Sequence, residues 1–120
     1  MPGAVKLITH LHQHSIPIAI ATGSDRRVLE LKTSHLPELI EPFGSHTICA
    51  DDVERGKPNP DIFLKAAQSL GRNVGRGDYE RSTTEQREER TKGLVFEDAI
   101  PGVQAAVRAG MQGLNDIPIC

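Results

Sequence analysis

The segment "KGLVFEDAIPGVQAAVRAGM" (residues 92–111) joins a short apolar run to two adjacent carboxylates and then to a helical pattern that ends at Gly110. Residues 94–96 are typical of a strand, so Glu97 and Asp98 stand where a strand ends and a helix begins. An isolated carboxylate is costly to bury unless a cation or hydrogen-bond donors contact it. A simple helix cap is the alternative, because the helix dipole favours acidic residues at this position.

The same alternation of strand and helix patterns runs along the rest of the chain. "IPIAIAT" (residues 16–22) is short, nearly all apolar and rich in Ile, as in a strand buried on both faces. "HTICADD" (residues 46–52) predicts a second strand, and residues 93–96 predict a third. Because helical patterns separate these strands, we expect βαβ units and an α/β fold with a parallel sheet.

Apolar residues at spacings of three and four predict the helices. A helix begins at Pro2, and another follows a cap at Ser24 or Asp25. A third begins at Pro60 and ends at Gly71. For the helix that follows Asp98, the predicted inward face consists of Ile100, Val103, Ala106 and Val107.

Residues 72–92, "RNVGRGDYERSTTEQREERTK", contain almost no apolar side chains. Such a segment cannot bury enough apolar surface to offset the entropy of ordering it. We therefore predict a solvated loop or a disordered insertion here and assign it no function.

Length and composition limit the classes of protein. A chain of 120 residues forms one domain at most, and with 3% aromatic residues and no Trp its core must be aliphatic. The net charge of -2 argues against a nucleic-acid binder, which normally has a basic face. No apolar run approaches the roughly 20 residues of a membrane span. Cys49 and Cys120 are typical of reduced thiols, which indicates a cytoplasmic protein.

Three groups of polar residues lie at the ends of the predicted strands or in the loops that follow them. The first is Thr22 with Ser24, the second is Lys57 alone, and the third is Glu97 with Asp98. In an open α/β sheet, ligands bind outside the carboxyl ends of the strands. Hydroxyl and backbone N–H groups hold phosphate oxygens, a lysine adds positive charge, and paired carboxylates bind Mg²⁺. Taken singly, the hydroxyl residues are helix caps and the lysine is a solvated turn residue. Together they favour phosphoryl-transfer chemistry.

Three motifs carry a family resemblance: "IAIATGS" (residues 18–24), "RGKPNPDIF" (residues 55–63) and "LVFEDAIPGV" (residues 94–103). With them the chain resembles the haloacid-dehalogenase-like (HAD) hydrolase superfamily, and most of all its pseudouridine-5'-phosphatase-like group. The resemblance covers residues 1 to about 70 and 93–112. It implies a Rossmann-like, three-layer parallel core and a Mg²⁺-dependent phosphatase of small phosphorylated metabolites, such as sugar phosphates or nucleoside monophosphates.

The resemblance also implies roles for individual residues. Thr22, with the backbone N–H groups of Gly23 or Ser24, would hydrogen-bond the transferring phosphoryl group, and Lys57 would neutralise its charge.

Two carboxylates complete this set. Asp98 would bind Mg²⁺, with Glu97 as a direct or water-bridged partner. With no further protein carboxylate, we expect this binding to be weak.

One part of the family pattern is missing from the 120 residues. Family members form an aspartyl phosphate on an Asp-x-Asp-Gly-Thr motif in the first strand, and the nearest acidic stretches here, "DDVE" and "GSDRR", do not match it. We therefore expect residues 1–120 to be a partial HAD-like core that lacks the first central strand and the cap domain. We expect such a chain to be an inactive fragment of a phosphatase. The alternative is a non-catalytic phosphate-binding or interaction module derived from a HAD fold.

Overall fold

The computed structural model describes residues 2–35, 37–97 and 99–114. Cys120 and the segment after Leu114 therefore lie outside the described residues. The helices in the described ranges are α1 (Pro2–Gln13), α2 (Arg26–Thr33), α3 (Pro37–Ile40), α4 (Asp61–Ser69), α5 (Thr84–Thr91) and α6 (Ile100–Ala109). The strands are β1 (Ile20–Ala21), β2 (Thr47–Ile48), β3 (Leu94–Phe96) and β4 (Gln112–Leu114), and short 3-10 turns cover Glu41–Phe43, Ala50–Asp52 and Tyr79–Arg81.

The strands pair in parallel, in two separate sheets of two strands each. Ile20 of β1 lies opposite Thr47 of β2, and Leu94 of β3 lies opposite Gln112 of β4. Parallel neighbours require a crossover, which α2 and α3 supply in the first sheet and α6 in the second. The predicted α/β class is confirmed. Between the described residues of β1 and β3 no ladder forms, which is consistent with an incomplete HAD-like core.

Both strands of the first sheet are shorter than predicted. The 16–22 run contributes only β1, although the N–H of Thr22 still donates to the carbonyl of Ile48 at 2.9 Å. The predicted second strand is wrong after Cys49, where the chain turns into a 3-10 helix. The cause is the carboxylate of Asp52, which accepts a hydrogen bond from the Cys49 N–H at 2.8 Å.

The core lies where α4 packs against α6 and against the strands of the first sheet. It is mainly aliphatic, as the composition predicts, and Phe63 is its aromatic member. Helix α4 supplies the buried side chains Ile62, Phe63, Leu64 and Ala66. None of the described helices is long and apolar enough to cross a membrane.

Helix α6 packs through its small residues. The predicted inward position of Ala106 is confirmed, but the prediction is wrong for Ile100 and Val107, which are 73% and 67% exposed. Alanine and glycine residues let the helix approach α4 and β4 closely. The spacing of large apolar residues does not predict such a close approach. Gly110 ends the helix at φ 78°, as predicted. The buried residues of α6 are Gly102, Ala105, Ala106 and Ala109.

The prediction of a solvated loop or disordered insertion over residues 72–92 is wrong, because this segment contains α5. The hydroxyl of Thr83 accepts from the Gln86 N–H, and the Gln86 side chain accepts in return from the Thr83 N–H. This capping box satisfies two of the N–H groups that a helix start leaves without partners.

Arg90 of α5 orders this segment, in which Val74 is the residue that joins the hydrophobic core. Its side chain is fully buried and donates to the carbonyls of Val74 at 2.7 Å, Gly77 at 3.0 Å and Arg76 at 3.4 Å. Burial lowers the pKa of Arg90. A guanidinium carries five N–H donors, so one side chain can satisfy several loop carbonyls at once. Hydrogen bonding of this kind orders a segment whose composition alone indicates a loop.

Candidate active site

The loop of residues 22–24 follows β1 and is held in place by three hydrogen bonds. The Thr22 N–H donates to β2, the Ser24 N–H donates to Thr22 Oγ1 at 3.1 Å, and the Ser24 carbonyl accepts from the Ala50 N–H at 3.0 Å. The Thr22 hydroxyl keeps its own hydrogen, and no acceptor lies near the Gly23 N–H among the described residues. This loop therefore has two donors left for a ligand, whereas the backbone N–H of Ser24 already has a partner.

Asp25, one of the two predicted caps, begins α2. Its carboxylate accepts from the Val28 N–H at 2.8 Å. Ser24 therefore has no capping task, and its hydroxyl accepts from the ammonium of Lys32, at a distance of 3.3 Å. Lys32 lies in the last turn of α2 and reaches back along the helix to the loop.

Lys57 connects the ends of the two sheets. Its Nζ donates to Glu97 Oε2 at 2.7 Å and to the carbonyl of Ala21 at 3.3 Å. The two charged side chains are only 15% and 13% exposed, and the ring of Phe63 lies 5.1 Å from Nζ. The interpretation of Lys57 as a solvated turn lysine is thus wrong. The peptide bond between Lys57 and Pro58 is cis.

Glu97 bonds to a lysine and to a backbone N–H group. One carboxylate oxygen pairs with Lys57, and the other accepts from the Ala99 N–H at 3.2 Å, next to the start of α6. Ala99 is the residue before α6, so this contact fixes the backbone ahead of the helix and does not cap it. Glu97 is one half of a partly buried ion pair rather than a helix cap. Asp98, its predicted metal-binding neighbour, lies outside the described residues.

A second acidic cluster lies beside this site. Ligand atoms of Cys49, Asp51 and Asp52 all lie within 4.8 Å of one another. Asp52 pairs with Arg26 at 2.7 Å and caps the Cys49 N–H. These two contacts, the Cys49 N–H foremost, lower the pKa of Asp52, whereas burial raises the pKa of the Cys49 thiol. Because Asp52 contacts Arg26 and a backbone N–H, this cluster is a turn with a bound guanidinium.

Arg108 ties the Lys57 loop to the 72–92 segment. Its Nε and Nη2 donate to the two oxygens of Asp78, both at 3.2 Å, and its Nη1 donates to Asn59 Oδ1 at 3.2 Å. This hydrogen bonding lowers the pKa of Asp78. The segment assigned no function thus contacts the same α6 that follows Glu97.

Both sheets are parallel, and Lys57 lies between their carboxyl ends, where it pairs with Glu97. This arrangement agrees with the family resemblance that the motifs carry. A family model described as haloacid dehalogenase-like hydrolase matches residues 1–110. The chain belongs to this family.

Known HAD-like proteins match nearly the whole chain. It is 45% identical to (DL)-glycerol-3-phosphatase 2 of Arabidopsis thaliana over 113 residues, which are 92% of this chain and 41% of that protein. It is 41% identical to a protein named "Probable pseudouridine-5'-phosphatase" of Drosophila melanogaster, over 93% of this chain and 43% of that protein. The chain thus spans about two-fifths of the length of these relatives.

A solved structure supports the fold. A HAD family hydrolase from Deinococcus radiodurans R1, crystallised with bound phosphate and sodium, superposes with a TM-score of 0.73 at 30% identity. The match covers 94% of this chain and 42% of that protein. The resemblance to the HAD superfamily and to its pseudouridine-5'-phosphatase group is confirmed.

Sequence reasoning missed three residues of this HAD-like site. The motifs assign no role to Lys32 or Arg108, whose contacts lie 8 to 50 residues away along the chain. Gly102 is different, since a buried glycine inside a predicted helix signals a close approach. The group that approaches it is the carboxylate of Glu97.

Proposed function

We propose that this chain forms part of the phosphoryl-binding site of a HAD-type phosphatase that acts on small phosphorylated metabolites. The observation that carries the proposal is the position of Lys57. Its ammonium lies between the end of β1 and Glu97, beside the 22–24 loop that begins at Thr22. A partly buried cation next to hydrogen-bond donors stabilises the charge of a phosphoryl group more than it would in water.

Each residue of the proposed site has one task. The Thr22 hydroxyl and the Gly23 N–H bind phosphoryl oxygens, as the remaining donors of the loop. Ser24 holds the loop in shape, because its backbone groups bond to Thr22 and to Ala50. Lys57 neutralises charge on the phosphoryl group as it is transferred.

Glu97 and Asp98 would hold the Mg²⁺ on which HAD-like hydrolases generally depend. Carboxylate oxygens are the hard ligands that this ion prefers, and Glu97 brings such oxygens to the carboxyl end of β3. Bound there, Mg²⁺ would supply further positive charge to the phosphoryl oxygens. Because both oxygens of Glu97 also have protein partners, we expect the chain alone to bind the ion weakly.

The 120 residues include no Asp-x-Asp-Gly-Thr motif, so we propose that by themselves they do not turn over a phosphomonoester. Relatives named for glycerol-3-phosphate and pseudouridine-5'-phosphate suggest a small phosphate ester as the substrate class. We place the protein in the cytoplasm, where a buried free thiol such as Cys49 stays reduced.

The test is complementation. A synthetic peptide with an apolar strand and an Asp-x-Asp-Gly-Thr loop is added to the whole chain, and phosphate release from glycerol 3-phosphate is measured with and without Mg²⁺. The peptide should pair with the strand edges that β1 and β3 leave without a ladder, and Mg²⁺-dependent turnover should appear.

A matched peptide with Asn in place of the first Asp should pair equally well and give no turnover, because it has no nucleophile. The second candidate function is the non-catalytic phosphate-binding module, for which Lys57 and the loop donors of Thr22 and Gly23 suffice without a nucleophile. Phosphate binding by the chain, with no turnover for either peptide, would decide for that module.

A further inference from the structure

Three cations contact the ends of β1 and β2 or the loop between β1 and α2. Lys57 pairs with Glu97 at 2.7 Å, and Arg26 pairs with Asp52 at 2.7 Å. Lys32 differs from both, since no described carboxylate lies within 4.0 Å of its ammonium. Its hydrogen bond goes instead to the neutral hydroxyl of Ser24. Of these three cations, Lys32 is therefore the one whose described partner is uncharged.

We propose that Lys32 is a phosphate-binding residue of this site, which the family motifs do not assign. The inference rests on the proposed function, because it takes the 22–24 loop as the phosphoryl-binding element. Lys32 donates to the Ser24 hydroxyl, two residues after the Thr22 hydroxyl and one after the Gly23 N–H. A phosphate held by those two donors lies within the reach of a flexible lysine side chain.

The two lysines then have different tasks. An anion must compete with Glu97 for Lys57, and that ion pair is mostly buried. Lys32 is exposed, and the hydroxyl it must leave is a weaker partner than a phosphate oxygen. Lys32 thus binds the phosphate in the ground state, and Lys57 acts on the charge that develops later.

Inorganic phosphate is the probe that tests this assignment. It is titrated into the uniformly ¹⁵N-labelled whole chain at constant ionic strength, and the Gly23 and Ser24 amide resonances report the dissociation constant. Lys32→Gln should raise that constant about fivefold, as expected for the loss of one exposed charged contact. Lys32→Arg should restore most of the affinity. Lys6→Gln is the control, because it removes the same charge from an exposed position on α1.

The outcomes separate the two claims. If phosphate does not shift the loop amides of the unmodified chain, both the proposed function and the role of Lys32 are wrong. If phosphate binds and Lys32→Gln binds it as tightly as the unmodified chain does, the site stands and only Lys32 is wrong. An equal loss of affinity in Lys6→Gln would also overturn the assignment, because the effect would then be one of net charge.

Discussion

The carboxylate of Glu97 fills the space that a side chain on Gly102 would need. Gly102 is buried in the first turn of α6, and the carboxylate that covers it is the one that pairs with Lys57. Because Gly102 has no Cβ, the Glu97 carboxylate has room to reach Lys57.

Gly102→Ala should weaken the protein although alanine is the better helix former by about 1 kcal/mol. The new Cβ must push Glu97 away from Lys57, and we expect a net loss of about 1 to 2 kcal/mol in the free energy of unfolding. Urea denaturation measures the change. Gly3→Ala is the control, since nothing lies within 4 Å of a Cβ at that position of α1.

A double variant isolates the cause of this loss. In the Glu97→Ala background the carboxylate is gone, so Gly102→Ala should become neutral or stabilising. If Gly102→Ala costs as much in that background as in the unmodified chain, contact with Glu97 is not the reason for the glycine.

Arg90→Met should destabilise the chain by about 2 to 4 kcal/mol, because it leaves the carbonyls that the buried guanidinium satisfies without donors. The segment between Val74 and Gly77 should also become sensitive to proteases. Arg81→Met, at an exposed position, should change the unfolding free energy little. Equal resistance to proteolysis in the two variants would contradict an ordering role for Arg90.

Asp52 should make stability depend on pH. The Cys49 N–H and Arg26 lower the pKa of Asp52 in the folded chain, so its contribution is present above the unfolded value of about 3.9. It is lost as the pH falls through the lowered folded value. Asp52→Asn should therefore cost about 1 kcal/mol at pH 7 and progressively less in acid.

The midpoint of urea denaturation, measured between pH 7 and pH 2 for the unmodified chain and for Asp52→Asn, tests the role of Asp52. Glu54→Gln, at an exposed neighbouring position, is the control and should follow the unmodified chain. A loss in Asp52→Asn that is the same at every pH would show that the carboxylate acts through packing rather than charge.

Once the complementing peptide has restored turnover, the site variants should rank by charge. Lys57→Ala and Asp98→Asn remove full charges from the phosphoryl site and should lower kcat on the order of a hundredfold or more. Thr22→Ala removes one neutral donor and should have a smaller effect. Phosphate release at saturating Mg²⁺ gives the ranking, and a larger loss in Thr22→Ala than in Lys57→Ala would contradict it.

Local sequence patterns predicted much of this molecule. The alternation of strands and helices, the Asp25 cap and the left-handed end at Gly110 depend on a few neighbouring residues, so they could be read directly. The sequence also predicted that Lys57 and Glu97 belong to one site, because parallel strands place their carboxyl ends together.

Only the tertiary structure decided which groups touch. Lys57 and Glu97 are 40 residues apart, and their 2.7 Å contact depends on how the loop before α4 places the lysine between the two sheets. The inward face of α6 depends on how closely it approaches α4, which favours small side chains over Ile100 and Val107. Arg90 orders its segment by bonding carbonyls 13 to 16 residues away. The physical reason is the same in each case: periodicity and caps are local, whereas close packing and buried polar groups are settled between segments distant in sequence.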